Sequence, residues 1–468
     1  MGLNSVDIQP SILALLGQQS LLIAKEIRAE FINLTEKVTN KIRSSAINEK
    51  KDQLIEIRKI NKLIWSEMQG ETVCFIDGGV GETTILTKTP LIIRSGIFKV
   101  ITGEKNLEER ERFEIYPILV GDIESGLKNR SDYSSVLRIL IELLSAYKVA
   151  TSEEYNDTNI LMLHGPISYR LSAYSDHYIS KNDLSYILGL EGIQYQNDSS
   201  EAKQNNPFIK KFDLFCKKCE LNSNNEGFCQ QTENINFICL VWFILSEIFN
   251  KVRSNANFKL VGVVERSSST DYIRDHLFLN LLQNDSSILS DFKIQASTDH
   301  GKNVDKLIEK GNYHDALILS LILNEGEYTK PEYAYKRYTD IRREEFAGMS
   351  DILFDTIPIK YVYLKIKHNT FPIRVEFPAL LDDNSIEFII NHVYKYSRLL
   401  PTYAFPVGLD IVDKYAKVPN WLMAAFRKLI ILKLGEEAAS QDSMEEIQKL
   451  ISNVLIFQQR DAFYRPEA

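Results

Sequence analysis

The sequence predicts an α/β protein: a mixed β-sheet core flanked by helices. Two observations predict it. Three β-type apolar runs follow one another between residues 90 and 120, the pattern of an antiparallel meander. Two later runs each follow a helix-period segment and stop on a polar residue.

The composition fits that class. The chain has 468 residues, 44% hydrophobic and 25% charged, ordinary for a globular protein with a sizeable core. Net charge is -8 and the pI is near 5.6, so there is no global basic field. A nucleic-acid partner would be met by a local patch or through a second protein. Five cysteines are too few for a secreted disulfide scaffold. The start lacks a basic n-region, Val6 breaks the acylation motif after Gly2, and no apolar run reaches about 18 residues. The expectation is a soluble, cytoplasmic protein with no membrane segment.

Taken in order, residues 10–66 read as a helical hairpin, with Ile27, Phe31, Leu34, Val38 and Ile42 forming one stripe. It would serve oligomer or partner contacts. Val73 to Ile85 then runs as a buried strand into Asp77, Gly78 and Gly79. A carboxylate at the end of a buried strand is costly unless paired, and a divalent metal is a common partner. Capping a turn is the plain alternative. Pro90–Arg94, Ile97–Ile101 and Phe113–Val120 read as further strands. Residues 131–150 read as a helix capped at Ser131 or Asp132, burying Val136, Leu137, Leu140, Ile141 and Leu144, with Glu142 inside that apolar stretch. A strand from Asn159 ends at His164-Gly165.

Residues 196–234 turn polar and read as an insertion or lid. Cys216, Cys219 and Cys229 within it hint at zinc, one ligand short of a closed site, while Cys239 reads as core. Phe237 to Val252 is a buried helix, and Lys259–Val264 a strand that exits into Glu265-Arg266-Ser267. Tyr313–Asn324 reads as helix, and Ile359–Ile366 and Phe371–Pro378 as strands. Tyr403 to Ala416 is a loop entering a helix, and from Trp421 two helices split near Gly435 close the chain. The domains follow: 1–66 helical, 67–420 core, 421–468 helical tail.

Three strand-end polar sites (Asp77, His164, Glu265), a helix-borne Glu142 and a late Asp413 form the candidate site. Carboxylates gathered from distant parts of a chain are what a two-metal phosphodiesterase needs. Singly, each has an ordinary reading: Glu142 as a surface ion pair, His164 as a core histidine, Asp413 as a surface acid.

The order of these residues resembles the NurA nuclease family, partners of HerA-type hexameric ATPases in DNA end processing. The likeness runs from about Glu71 to Ala416. Asp77-Gly78-Gly79 matches the opening strand end, and Glu142 in Arg138-Ile-Leu-Ile-Glu142-Leu the metal-binding helix. His164-Gly165 stands where the family has Asp-Gly, and Glu265-Arg266-Ser267 where it has a Lys before a Ser. Arg374-Val-Glu376-Phe-Pro378 matches the Arg-x-Glu-x-Pro signature, and Phe405-Pro406 with Asp413 the closing motif. The resemblance implies an RNase H-like core and a metal-dependent DNA nuclease, used in end processing or defence against foreign DNA. It implies two Mn²⁺ or Mg²⁺ ions held by Asp77, Glu142, His164 and Asp413. Arg266 would clamp the scissile phosphate, with Glu265 beside it and Arg374 as a second nucleic-acid contact. A homodimer working with a HerA-type ATPase on DNA is the expected assembly. The rival expectation is a catalytically degenerate adaptor that docks the ATPase, and an RNase of the same chemistry is a third. His164 for Asp replaces a hard oxygen ligand by an imidazole, which suits Mn²⁺ better than Mg²⁺.

Overall fold

The apolar runs assemble into one ten-stranded sheet. The structure, a computed structural model, describes residues 10–40, 42–43, 55–61, 65–83, 85, 90–120, 130–168, 177–190, 207–223, 230–231, 234–284, 288–334, 357–400 and 403–440. The strands are β1 (Ile57–Lys59), β2 (Thr72–Glu82), β3 (Leu91–Ile101), β4 (Glu111–Val120), β5 (Ile160–His164), β6 (Tyr178–Ser180), β7 (Gln230–Gln231), β8 (Asn234–Asn236), β9 (Lys259–Val264), β10 (Glu327–Thr329), β11 (Glu332–Tyr333), β12 (Ile359–Leu364) and β13 (Ile373–Pro378). The main sheet runs β1-β10-β12-β13-β9-β5-β2-β3-β4, with β11 paired to β12, while β6, β8 and β7 form a small separate sheet.

β2, β3 and β4 form the antiparallel meander. β5 then pairs parallel to β2, and β9 parallel to β5. The order β4-β3-β2-β5-β9 with these directions is that of an RNase H-like sheet. Parallel neighbours need crossovers, and helices supply them. The principal helices are α1 (Pro10–Leu34), α2 (Arg130–Thr151), α3 (Phe237–Ser254), α4 (Asp383–Ser397), α5 (Val407–Ala416) and α6 (Asn420–Ser440). α2 links β4 to β5, and α3 precedes β9.

Both faces of the sheet are covered, which is why its central strands are continuously apolar rather than alternating. On one face Cys74 and Ile76 of β2 pack with Leu140 and Leu144 of α2 and Leu245 of α3. On the other, Val73 and Phe75 pack with Ile389 of α4 and Leu409 and Val412 of α5.

Three expectations are corrected. The runs 90–94 and 97–101 are one strand, β3. The Ser95-Gly96 pair between them is continuous β structure, and a Cβ on Gly96 would lie 2.7 Å from Val412 Cγ2, so the glycine lets α5 approach the sheet. The N-terminal region is not helical throughout. Ile55 and Ile57 alternate with Glu56 and Arg58, a strand period, and β1 pairs with β10. The helical stripe is itself divided: Leu34, Val38 and Ile42 are buried, whereas Ile27 and Phe31 are 52% and 41% exposed. α6 passes through Gly435 without a break, since a lone helix glycine costs only about 1 kcal/mol. Residues 441–468, Cys229, the side chain of Cys219 and, within the polar 196–234 stretch, residues 196–206, 224–229 and 232–233 lie outside the described residues. Cys216 and Cys239 are buried, and neither is in a disulfide among the described residues. Among the described residues no helix is long and apolar enough to cross a membrane.

One buried titratable group is set by the fold alone. His392 on α4 is 0% exposed, with Nδ1 2.8 Å from the Phe388 carbonyl. Burial holds its pKa down, to about 4 from an ordinary 6.5. A histidine pKa depressed on folding contributes stability above 6.5 that is lost as pH falls toward 4. Between pH 7 and 4.5 the wild type should therefore lose about 2.5 kcal/mol more than His392→Gln. Urea melts across that range check this; parallel pH profiles for the two proteins would refute it.

Candidate metal centre

β2 carries Asp77 to one edge of the sheet. Side chains alternate along a strand, so Asp77 follows Val73 and Phe75 toward the α4/α5 layer, and Gly78 follows Cys74 and Ile76 toward α2. The parallel register sets Ile76 opposite Leu163, which brings His164 alongside Asp77 on the same face. Their side chains meet at 2.7 Å, His164 Nδ1 to Asp77 Oδ2. The Gly78 N–H donates to Asp77 Oδ1 at 2.8 Å. Both oxygens of this carboxyl, on a residue only 2% exposed, thus have a partner.

α5 supplies the third group. One donor atom from each of Asp77, His164 and Asp413 lies within 4.8 Å of the others. The turn after α5 rests directly on β2: a Cβ on Gly79 would come 2.3 Å from the Ala416 carbonyl oxygen. Burial and the nearby Asp77 raise the Asp413 pKa, while Lys417 opposes them from 3.9 Å. Burial lowers the His164 pKa, but the hydrogen bond and charge of Asp77, then Asp413 and Glu142, outweigh it, and the net shift is upward. Two carboxyls beside an imidazole form a donor set suited to a divalent cation.

Glu142 reaches the same spot from the opposite face. It is 4% exposed, and Arg138 one turn earlier donates Nη1 to its Oε1 at 3.1 Å. Burial drives its pKa up to about 8, against the pull of Arg138 and with a further push from Asp77. A Cβ on Gly78 would sit 2.7 Å from Glu142 Cγ, so the glycine makes room for this carboxyl. Three of the four expected metal ligands are therefore clustered, with Glu142 behind them across β2.

The cluster lies in a cleft of about 470 Å³ whose wall includes Arg138, Glu265, Arg266, Tyr403, Phe405 and Lys417. Arg266 is on the rim, its side chain 89% exposed and 3.4 Å from Glu265. The Tyr403 hydroxyl hydrogen-bonds Glu265, and Phe405 packs on the His164 ring at 5.0 Å. Arg374 lies inside the protein, 1% exposed, with Nε 2.8 Å from Glu376 Oε1. A guanidinium and a carboxylate two residues apart on one strand share a face, and here they pair. Sequence reasoning missed Arg138, Tyr403 and Lys417. Spacing could have found Arg138 and Lys417, four residues from Glu142 and Asp413; nothing local marks Tyr403.

The fold and site together define an α/β protein of RNase H-like topology that gathers acids and a histidine at one sheet edge. The NurA domain model matches residues 243–418 of the chain. That match takes in Glu265, Arg266, Arg374 and Asp413 and begins after Asp77, Glu142 and His164. No curated protein matches the sequence. Among solved structures, the NurA nuclease from Sulfolobus solfataricus is 13% identical, over 88% of this chain and 98% of that one, with a TM-score of 0.47. NurA bound to dAMP and manganese is 11% identical, over 86% and 94%, with a TM-score of 0.38. NurA with manganese is 9% identical, over 87% and 96%, with a TM-score of 0.40.

The Gly78–Glu142 contact gives a direct test. Gly78→Ala should cost about 1–3 kcal/mol through overpacking, and Glu142→Ala in the same chain should recover part of it. Strictly additive losses in a denaturation double-mutant cycle would show that the two do not touch.

Proposed function

We propose that the chain is a metal-dependent nuclease hydrolysing phosphodiester bonds in DNA. The observation that carries this reading is the convergence of Asp77, His164 and Asp413 within 4.8 Å in an open cleft. The match of the NurA domain model to residues 243–418 supports the same reading. Asp77 and Asp413 would hold the cation, with His164 as third ligand, and the imidazole favours Mn²⁺ over Mg²⁺. A bound divalent cation supplies Lewis-acid polarisation of a phosphoryl oxygen and a water of lowered pKa.

The chain's own residues do the rest. Arg266 and Lys417 place cations at the rim, where a phosphate oxygen enters. Arg138 holds Glu142 against the back of the site, and that carboxyl, with its raised pKa, can keep or release a proton near neutrality. Tyr403 orients Glu265. In this reading a second ion would be held by Glu142 together with Asp77.

A chain of net charge -8 binds duplex poorly by itself, because affinity for DNA leans on phosphate neutralisation. The proposal therefore includes a HerA-type hexameric ATPase that feeds DNA to a homodimer, in end processing or defence.

Two measurements test the reading. Saturating Mn²⁺ should stabilise the wild type by RT ln(1 + [L]/Kd), about 2.7 kcal/mol at a hundredfold excess over Kd, and should not stabilise Asp77→Ala. Linear and circular DNA in Mn²⁺ should be cut by wild type and spared by Asp77→Ala, with the ATPase raising the rate. A stable complex that binds no Mn²⁺ and cuts neither substrate would instead mark a docking adaptor.

A further inference from the structure

Beside the metal cleft lies a second cavity, of about 250 Å³, which shares Val264 and Arg266 with it. Its remaining wall is Pro166, the serines at 267–269, Arg374 and Glu376. Arg374 is the unusual member. Its Nε is committed to Glu376, and its guanidinium carbon stands 3.8 Å over the Tyr361 ring. Its Nη1 is buried and, among the described residues, has no hydrogen-bond partner. An unmatched donor on a buried cation is costly, so something must repay it or the residue is poorly chosen.

The neighbouring carboxylates are engaged with other donors. Glu376 accepts from the Ser168 N–H at 2.8 Å and from Ser168 Oγ at 2.8 and 2.9 Å, besides Arg374 Nε. Asp315 accepts from the N–H groups of Tyr272 and Ile273 at 3.2 and 2.9 Å and from the Tyr363 hydroxyl at 2.7 Å. Neither carboxylate reaches Arg374 Nη1, and that guanidinium arm is left over. Around it stand small hydroxyl residues. Ser267 contacts the Tyr363 hydroxyl at 3.2 Å, Ser269 donates to Asp271 at 2.9 Å, and Ser268 is exposed. Arg266 stands where the cavity meets the cleft. The free capacity of this wall is for donation, and the ligand that suits it is an oxyanion.

We propose that this cavity is a phosphate subsite, taking a phosphodiester that flanks the scissile one, with Arg374 within and Arg266 and Ser268 at its mouth. The source of the phosphate rests on the nuclease reading; the donor geometry does not. A strand with one phosphate at the acid-rich metal cleft needs positive charge for the next, and Arg266 bridges the two cavities. Such a contact sets the position of the strand without reading its bases.

The test uses the full-length protein, a labelled single-stranded oligonucleotide of about ten nucleotides, and inorganic phosphate as competitor. Ser268→Glu places a carboxylate at the mouth without touching the buried network, and Ser268→Ala is its control. Arg374→Met with Glu376→Gln removes the buried donor while leaving no lone charge. Oligonucleotide binding in EDTA should weaken about tenfold in Ser268→Glu and in the double variant, and little in Ser268→Ala. Inorganic phosphate should compete in the wild type and not in Ser268→Glu. In Mn²⁺, Ser268→Glu should raise KM for cleavage with kcat within about twofold, the signature of lost strand positioning. Unchanged oligonucleotide affinity and KM in Ser268→Glu would overturn the subsite and leave the nuclease reading standing. Phosphate competition at this cavity with an unaffected oligonucleotide would overturn the phosphodiester and leave a small-anion site. Phosphate and oligonucleotide both sensitive to Ser268→Glu, in a protein that cuts nothing, would uphold the subsite and remove the nuclease reading. Should the double variant fail to fold, Ser268→Glu carries the decision alone.

Discussion

The burial of Asp77 at the end of a central strand is the constraint on which the site depends. A carboxyl 2% exposed has lost most of its hydration, and the lone pairs must be served from inside the protein. Two elements serve them: the Gly78 amide from the same strand, and His164 from the neighbouring parallel strand. The second is available only because β5 lies in register with β2, so that two strand ends coincide. Topology and electrostatics are therefore one problem here. A one-residue slip of β5 would turn His164 to the opposite face and strand Asp77 without its partner.

Around that pair the charges are distributed by face. Asp413 joins from the α4/α5 layer, and Glu142 from the α2 layer, so β2 passes between carboxyls that approach from both sides. Each acid has a cation one helical turn away, Arg138 for Glu142 and Lys417 for Asp413. Those cations keep the acids from becoming an unsupported negative cluster, yet their partial exposure leaves them free to respond to what enters the cleft. The cleft is rich in acids on its floor and in basic side chains on its rim, the polarity expected where a cation sits below and an anion arrives from above.

Much of this was legible in the sequence, for identifiable reasons. β2, β5 and β9 are continuous apolar runs that stop on a polar residue, a signal that survives burial on both faces. Asp77, His164 and Asp413 could be picked out from strand-end position and chain order. What stayed hidden was short or long-range. β1, β10 and β11 have two or three residues each, too few to show a period. The break assumed between residues 94 and 97 mistook a glycine that admits α5 for one that ends a strand. Arg374 and Glu376 were visible as a motif, but their role as a buried pair depends on Ser168, more than two hundred residues away in the chain. Tyr403 is placed by its approach to Glu265, which no local pattern announces.

The seating of the α5 turn on Gly79 has a mechanical meaning. Asp77 lies two residues before that seat on one chain segment, and Asp413 three residues before it on the other. The gap between the two carboxyls is therefore set by a backbone-on-backbone contact, not by the three hundred and more residues of chain that separate them in sequence. α6 starts just beyond the seat, and its exposed Trp421, Leu429 and Leu432 offer a handle. Met423 of α6 in turn lies against Gly81, two residues further along β2. One strand end thus sets both the span between the two carboxyls and the position of the helix that follows.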